Sequence, residues 1–223
     1  MIALYHCIDA RSFRALWALE EVGAPYELKM LPFPPRLLAR HYLDSNPLGT
    51  VPLLMDGETR MTESAAICQY LVDRYSGPPL GVRPDEKDYG AYLNALYMGE
   101  ATLTFPQTLI LRYGRFEPPP RRLPQVVADY ERWTLARLAG FESLMRGASF
   151  AAAGRFTMAD VSIGYALHLL EFTGLADRAP ASLTAYLDRL KQRPAFQRAK
   201  AAQTIAAAAQ GVAPPLGGSD AKP

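Results

Sequence analysis

The residues best suited to chemistry lie between Asn46 and Ser64. There Asn46-Pro47-Leu48-Gly49-Thr50-Val51-Pro52-Leu53-Leu54 is followed, eleven residues after Pro52, by Glu63 and then Ser64. Proline removes a ladder hydrogen bond and is tolerated in strands mainly at a start, an edge or a bulge, so Pro52 marks the beginning of the apolar run Leu53-Leu54-Met55. With a cis Val51-Pro52 bond, the N–H and C=O of Val51 would face outward, where an extended ligand backbone can pair with them as an added strand. With a trans bond the same residues are a plain strand entry. Ser64 stands where a helix opens. Helix-start N–H groups attract a carboxylate, and Glu63 can accept from an ammonium. Glu63-Ser64 by itself reads as a helix cap. Joined to Val51-Pro52, the pair describes a site for a small anionic peptide with an amino-acid head group.

The elements that must position these residues alternate strand and helix. Ile2 to His6 reads as a strand and Ile8-Asp9-Ala10 as a turn. Arg11 or Ser12 opens a helix over Phe13 to Val22, which Gly23-Ala24-Pro25 stops. Tyr26 to Leu31 is a second strand, and the proline-rich Pro32 to Pro35 with the basic stretch Arg36 to His41 forms a crossover of loop or short helix. Asp56-Gly57 signals a hairpin between Val51 to Met55 and Thr59 to Met61. A helix capped by Ser64 follows, with Ile67, Tyr70, Leu71 and Tyr75 spaced as one buried face. The order βαβαββα, with a right-handed parallel crossover at its start, is the thioredoxin-like pattern.

After Ser76-Gly77-Pro78-Pro79, a breaker cluster suited to a linker, the pattern is helical throughout. One long helix is expected from Asp85 to about Phe116, interrupted at Pro106 and ended by Pro118-Pro119-Pro120. Leu123 to Met145 places Val127, Tyr130, Trp133, Leu138, Phe141, Leu144 and Met145 on one core-facing side. Thr157-Met158-Ala159-Asp160 approximates a capping box, with Phe156 and Val161 able to close a hydrophobic staple. Helices over Leu183 to Gln192 and Ala195 to Gln210 complete the chain. The expected class is α+β: a thioredoxin-like domain over residues 1–77, an all-α helical bundle over 84–210, and a disordered Pro/Gly-rich tail over 211–223.

Composition bounds the function. The 223 residues can bury a substantial core. A net charge of +2, with arginines spread along the chain, argues against nucleic acid. Two cysteines, Cys7 and Cys68, form no CxxC and suit a reducing compartment. Met1-Ile2-Ala3-Leu4-Tyr5-His6-Cys7 turns polar too soon for a signal peptide, and no apolar run approaches the ~20 residues of a membrane span. A soluble, cytoplasmic protein is therefore expected. His6 beside Cys7 is no metal site, because strand neighbours point to opposite faces and no second ligand pair exists.

Four segments in this order resemble a cytosolic glutathione transferase of bacterial type: Phe13-Arg14-Ala15-Leu16-Trp17-Ala18-Leu19-Glu20-Glu21-Val22-Gly23, Asn46 to Leu54, Thr62-Glu63-Ser64-Ala65-Ala66-Ile67, and Gly154 to Asp160. The resemblance runs from Ile2 to about Gln210. It implies that Val51 pairs with the cysteinyl backbone of glutathione, that Pro52 is cis, and that Glu63 and Ser64 hold the γ-glutamyl group. It also implies that Arg36, Arg40 and His41 lie where the glycyl carboxylate binds, that Thr157 and Asp160 serve folding, and that the protein is a homodimer. The co-substrate would be glutathione, with no metal, and the partner a small apolar electrophile.

Such a site must lower a thiol pKa from near 8.5, and a shift of about 2 units needs roughly 2.7 kcal/mol of thiolate stabilisation. Three residues are candidates. Ser12 is the only hydroxyl in Asp9-Ala10-Arg11-Ser12, and it also suits a helix cap. Tyr5 stands at the strand end where some family members keep a catalytic tyrosine and others a packing aromatic. Arg11 could stabilise the thiolate by charge, or simply be solvated. Cys7 reads as an inert buried thiol. Tyr97, Phe105, Tyr113, Phe116 and Tyr165 could line an apolar second-substrate pocket or fill the helical core. Conjugation of glutathione to an apolar electrophile, a detoxification chemistry, is the first reading. A glutathione-dependent peroxidase, dehalogenase or isomerase, or a non-catalytic binding relative, is the alternative.

Overall fold

A computed structural model describes residues 1–76 and 79–213. Two compact units divide the chain, one formed by residues 1–76 together with the segment from Arg193 onward, the other by residues 77–192. The expected helical half thus loses its last helix to the first unit. The tail beyond residue 213 and the linker residues 77 and 78 lie outside the described residues.

In the first unit, β1 (Ile2–His6) leads into α1 (Ser12–Val22), and β2 (Tyr26–Met30) into the short α2 (Pro35–Leu38). A 3-10 turn over Arg40–Asp44 precedes the hairpin of β3 (Leu53–Asp56) and β4 (Thr59–Met61), which feeds α3 (Ser64–Leu71). The sheet order is β2-β1-β3-β4. β1 and β2 are parallel, Ile2 opposite Tyr26, whereas β1 and β3 are antiparallel with Tyr5 opposite Leu53. This is the thioredoxin-like arrangement. The start of β3 therefore lies beside the end of β1. Because β4 is antiparallel to β3 with Leu54 opposite Met61, the chain enters α3 at that same end of the sheet.

Strand alternation separates two faces of β1. Ile2, Leu4 and His6 are buried, and Tyr5 on the opposite face packs against a cluster of Cys7, Leu31, Ala39, Tyr42, Val51 and Leu53. β3 begins at Leu53 rather than Val51, which leaves Val51 just outside the ladder. Ser64 is the first helical residue of α3 and not its cap; Glu63 occupies the cap position with extended dihedrals. Ile67 and Leu71 are buried as expected, but Tyr70 and Tyr75 lean outward because both hydroxyls donate to Asp56 in the hairpin.

The second unit contains α4 (Tyr89–Met98), α5 (Phe105–Leu111), α6 (Pro124–Met145), α7 (Met158–His168), α8 (Leu170–Thr173) and α9 (Ala181–Lys191). A wide π-helical segment, Gly99–Thr104, joins α4 to α5 immediately before Pro106. Its extra residue per turn accommodates the proline, whose ring would clash in a regular helix. Thr104 Oγ1 donates to the Gly99 carbonyl at 2.7 Å. Gly99 is required there, since a Cβ would stand 2.4 Å from Ser162 Oγ on α7. On α6 the buried stripe is Thr134, Leu138 and Phe141; Trp133 and Leu144, expected inside, are 52% and 63% exposed. The capping box at Thr157 and Asp160 is formed, with Phe156 and Val161 both buried.

The last helix, α10 (Pro194–Ala209), packs in the first unit along α1. Phe196 sits edge-on to Phe13 and Trp17, and Arg193 clamps Glu21 at 2.7 and 2.8 Å. Gln210 reaches β2, accepting from Met30 N and donating to Leu28 O, both at 2.8 Å, as a strand residue would. Among the described residues no helix is long and apolar enough to cross a membrane.

Candidate functional site

The site is assembled at the end of the sheet where β1 stops, β3 begins and the helices α1 and α3 start. Val51-Pro52 is cis, and the loop before it is fixed from within. Tyr42 Oη donates to the Thr50 carbonyl at 2.7 Å and Asn46 Nδ2 to the same oxygen at 2.8 Å. Gly49 holds φ 61, and a Cβ there would lie 2.7 Å from Arg36 Cβ. Only glycine therefore lets the loop close against the crossover. Burial pushes the Tyr42 hydroxyl up to about 12, which keeps it a neutral donor.

Ser64, almost wholly buried, accepts a 2.5 Å bond from Arg14 Nη1. Arg14 lies on α1 with no exposed surface. A guanidinium carries donors only, so Ser64 Oγ serves as the acceptor in this contact. Glu63 is exposed beside it. Arg36, Arg40 and His41 are exposed on the crossover, the last two directly preceding buried Tyr42.

The three thiol-activating candidates occupy different settings. Ser12 has no exposed surface, and its Oγ accepts from Cys7 N at 3.3 Å and lies 3.4 Å from Cys7 O. It stitches the β1–α1 turn together and is the first residue of α1 rather than its cap. Tyr5 is half-buried, its ring 5.3 Å from that of Tyr42 and under Lys29 Nζ at 5.4 Å. Arg11, half-buried, stands at the cap position of α1. Cys7 is fully buried, and burial pushes its thiol up to about 12.

Of the aromatics expected around a second-substrate pocket, Tyr165 is 1% exposed and belongs to the core of α7. Tyr113 is half-buried beside Arg112, while Tyr97 and Phe105 are exposed. Phe105 alone of these borders a cavity of about 240 Å³ within the helical unit, shared with Ala101, Thr102, Pro106, Tyr130, Trp133 and Arg137. No group of three or more metal-ligating side chains occurs among the described residues.

Arg14, Tyr42 and Gln203 were not singled out by sequence reasoning. Arg14 carries the one legible signal, a charge amid the apolar run of a buried helix. Gln203 gives none.

A thioredoxin-like sheet with a cis proline at the entry to β3 and two helix starts beside it, followed by a helical unit, defines the class of fold. Residues 4–79 match the family description "Glutathione S-transferase, N-terminal domain". Glutathione S-transferase 4 of Zea mays is 30% identical over 195 residues, covering 83% of this chain and 85% of that protein. Glutathione S-transferase 3 of Schizosaccharomyces pombe is 39% identical over 88 residues, 40% of this chain but only 35% of that protein. Among solved structures, the glutathione transferase URE2P6 from Phanerochaete chrysosporium, in complex with oxidized glutathione, is 26% identical with a TM-score of 0.77, covering 92% of this chain and 96% of that one. The chain belongs to the glutathione S-transferase family.

Proposed function

We propose that this protein binds glutathione and joins it through its sulfur to a small apolar electrophile. The observation that carries the reading is the convergence of Val51, the α3 start and the α1 start at one end of the sheet, with Arg14 bonded to Ser64 across the two helices. The cysteinyl backbone of glutathione pairs with the main chain of Val51 as an added strand. Its γ-glutamyl carboxylate meets the α3 start and Ser64, and its ammonium meets Glu63. Arg40 and His41 face the glycyl carboxylate. The thiol then lies at the β1–α1 turn.

Ser12 is buried and engaged with the Cys7 backbone, and Tyr5 lies on β1 with its ring packed on Tyr42. Arg11 stands at the α1 start itself, and we assign it, with the α1 macrodipole, the stabilisation of the thiolate. The dipole contributes about 0.3–1 kcal/mol. Most of the roughly 2.7 kcal/mol for a two-unit shift therefore falls to the Arg11 charge. The thiol proton passes to solvent, and the sulfur lone pair forms a carbon–sulfur bond as a leaving group departs or a polarised double bond takes up the electrons. This is detoxification chemistry, and the two buried free thiols suit the reducing cytoplasm. A homodimer is supported by Tyr97, Phe105 and Trp133, large aromatics each about half exposed on the helical unit.

The test is a titration of bound glutathione by ultraviolet thiolate absorbance in wild type, Arg11→Gln, Tyr5→Phe and Ser12→Ala. Wild type should lower the thiol pKa, and Arg11→Gln should raise it most. An unshifted pKa in wild type leaves a binding-only protein. A shift abolished by Tyr5→Phe instead assigns activation to the hydroxyl.

A further inference from the structure

The β1–α1 turn is held from a distance. Asp9 adopts φ 52, a left-handed conformation that favours glycine, in a turn otherwise closed by Ala10 N to Cys7 O at 3.1 Å. Gln203 of α10, 1% exposed, grips this residue by both backbone and side chain. Asp9 N donates to Gln203 Oε1 at 3.1 Å, and Gln203 Nε2 donates to Asp9 Oδ1 at 2.8 Å. Lys200, one helical turn earlier, donates to the same Asp9 oxygen at 2.7 Å. His6, the last residue of β1, shares Gln203 Oε1 through Nε2 at 2.9 Å. One buried amide thus spans the strand end, the strained residue and the final helix, all within the first unit.

Ala10 and Arg11 follow Asp9 directly. A change in the Asp9 dihedrals would rotate both, together with the first turn of α1. We propose that Gln203 is a positioning residue for the transfer reaction: through Asp9 it holds the turn that aims Arg11 and the α1 start at the glutathione sulfur. The proposal rests on the reading of this site as a thiol-activating one. It deepens that reading by making the C-terminal helix a working part of the site. Lys200 is the auxiliary clamp on the same carboxylate.

The experiment compares the pKa of bound glutathione thiol, the glutathione Kd and kcat in wild type, Gln203→Leu, Lys200→Met and Gln210→Leu. Gln210 tethers the same helix to β2 but does not touch the turn. In Gln203→Leu the thiol pKa should rise by about 1 unit, with about five-fold less thiolate and a matching fall in kcat near pH 6.5, while Kd moves less than about three-fold. Lys200→Met should shift pKa the same way by less, and Gln210→Leu should leave it at the wild-type value. A wild-type shift that persists in Gln203→Leu overturns the positioning role and leaves the transferase reading standing. Should Gln203→Leu fail to fold, an unchanged pKa in Lys200→Met overturns it equally. An equal rise in Gln210→Leu reduces Gln203 to general helix anchoring and overturns it too. A wild type with no shift overturns both readings and is recognised before any variant is made.

Discussion

Arg14 Nη1 donates to Ser64 Oγ at 2.5 Å, joining the first turn of α1 to the first residue of α3. The contact lies behind the two helix starts where a peptide ligand would place its thiol and its α-carboxylate. It holds α1 and α3 together through the hydroxyl that the proposed binding mode assigns to the γ-glutamyl carboxylate.

Removing that hydroxyl touches binding and stability together, because it also takes an acceptor from the buried Arg14 guanidinium. Ser64→Ala should weaken glutathione binding about 10- to 100-fold, the loss of one hydrogen bond to a charged group. Arg14→Met should instead destabilise the fold by about 2–4 kcal/mol, because it disrupts a buried polar network. Calorimetric titration and urea unfolding measure the two effects. Equal Kd values for Ser64→Ala and wild type would remove Ser64 from the site.

His6 makes stability depend on pH. Burial lowers its pKa from 6.5 to about 4, with Lys200 also lowering it and Gln203, Asp9 and the Ser12 backbone raising it. Between these values the unfolded chain binds a proton that the folded one refuses, so stability is full above about pH 6.5 and falls as pH drops toward 4. The loss is about 3 kcal/mol in all. His6→Gln should lack this component. Denaturant melts from pH 7.5 to 4.5 should show wild type losing its advantage over the variant; a constant difference would mean that His6 titrates normally.

Asp160 is a folding residue. Its carboxylate accepts from Thr157 N and Ala151 N at 2.8 Å and from Tyr186 Oη at 2.6 Å. Asp160→Ala leaves these buried donors unpaired and should cost at least about 3 kcal/mol, whereas Tyr186→Phe should cost about 1. Activity per folded molecule should be unchanged in both. A melt of Asp160→Ala within 1 °C of wild type would contradict this.

Trp133 and Phe105 border one cavity on the helical unit, with the Arg137 guanidinium 4.4 Å from the Trp133 ring centroid. If this face joins two copies, Phe105→Glu combined with Trp133→Glu should convert a dimer to a monomer in light scattering, with secondary structure retained. A wild type that is monomeric at tens of micromolar, or a dimer that survives both charges, would place the interface elsewhere.

Most of the first unit's element order was legible because its signals are local. Pro52 and the Asp56-Gly57 turn bound β3, the Ile2 to His6 alternation marks β1, and Gly23 stops α1. The Thr157 and Asp160 box was readable because capping is settled within four residues. Trp133, which the helical spacing places on the core side, is half exposed for a related reason. It is adjacent in sequence to Thr134, and helical spacing alone does not say which of two neighbouring stripes finds a covering element.

The sequence by itself determined the order of strands and helices in the first unit, the placement of Pro52 at the entry to β3 and of Glu63-Ser64 at the α3 start, since backbone propensity and short-range hydrogen bonding act within a few residues. The cis Val51-Pro52 bond was decided by the folded loop. The tertiary structure alone decided that Ser12 is spent on Cys7, that Arg14 reaches Ser64, that α10 returns to the first unit, and that Gln203 grips Asp9. Each of these depends on which side chain a distant element delivers to a buried polar atom, and burial is a property of the packed chain.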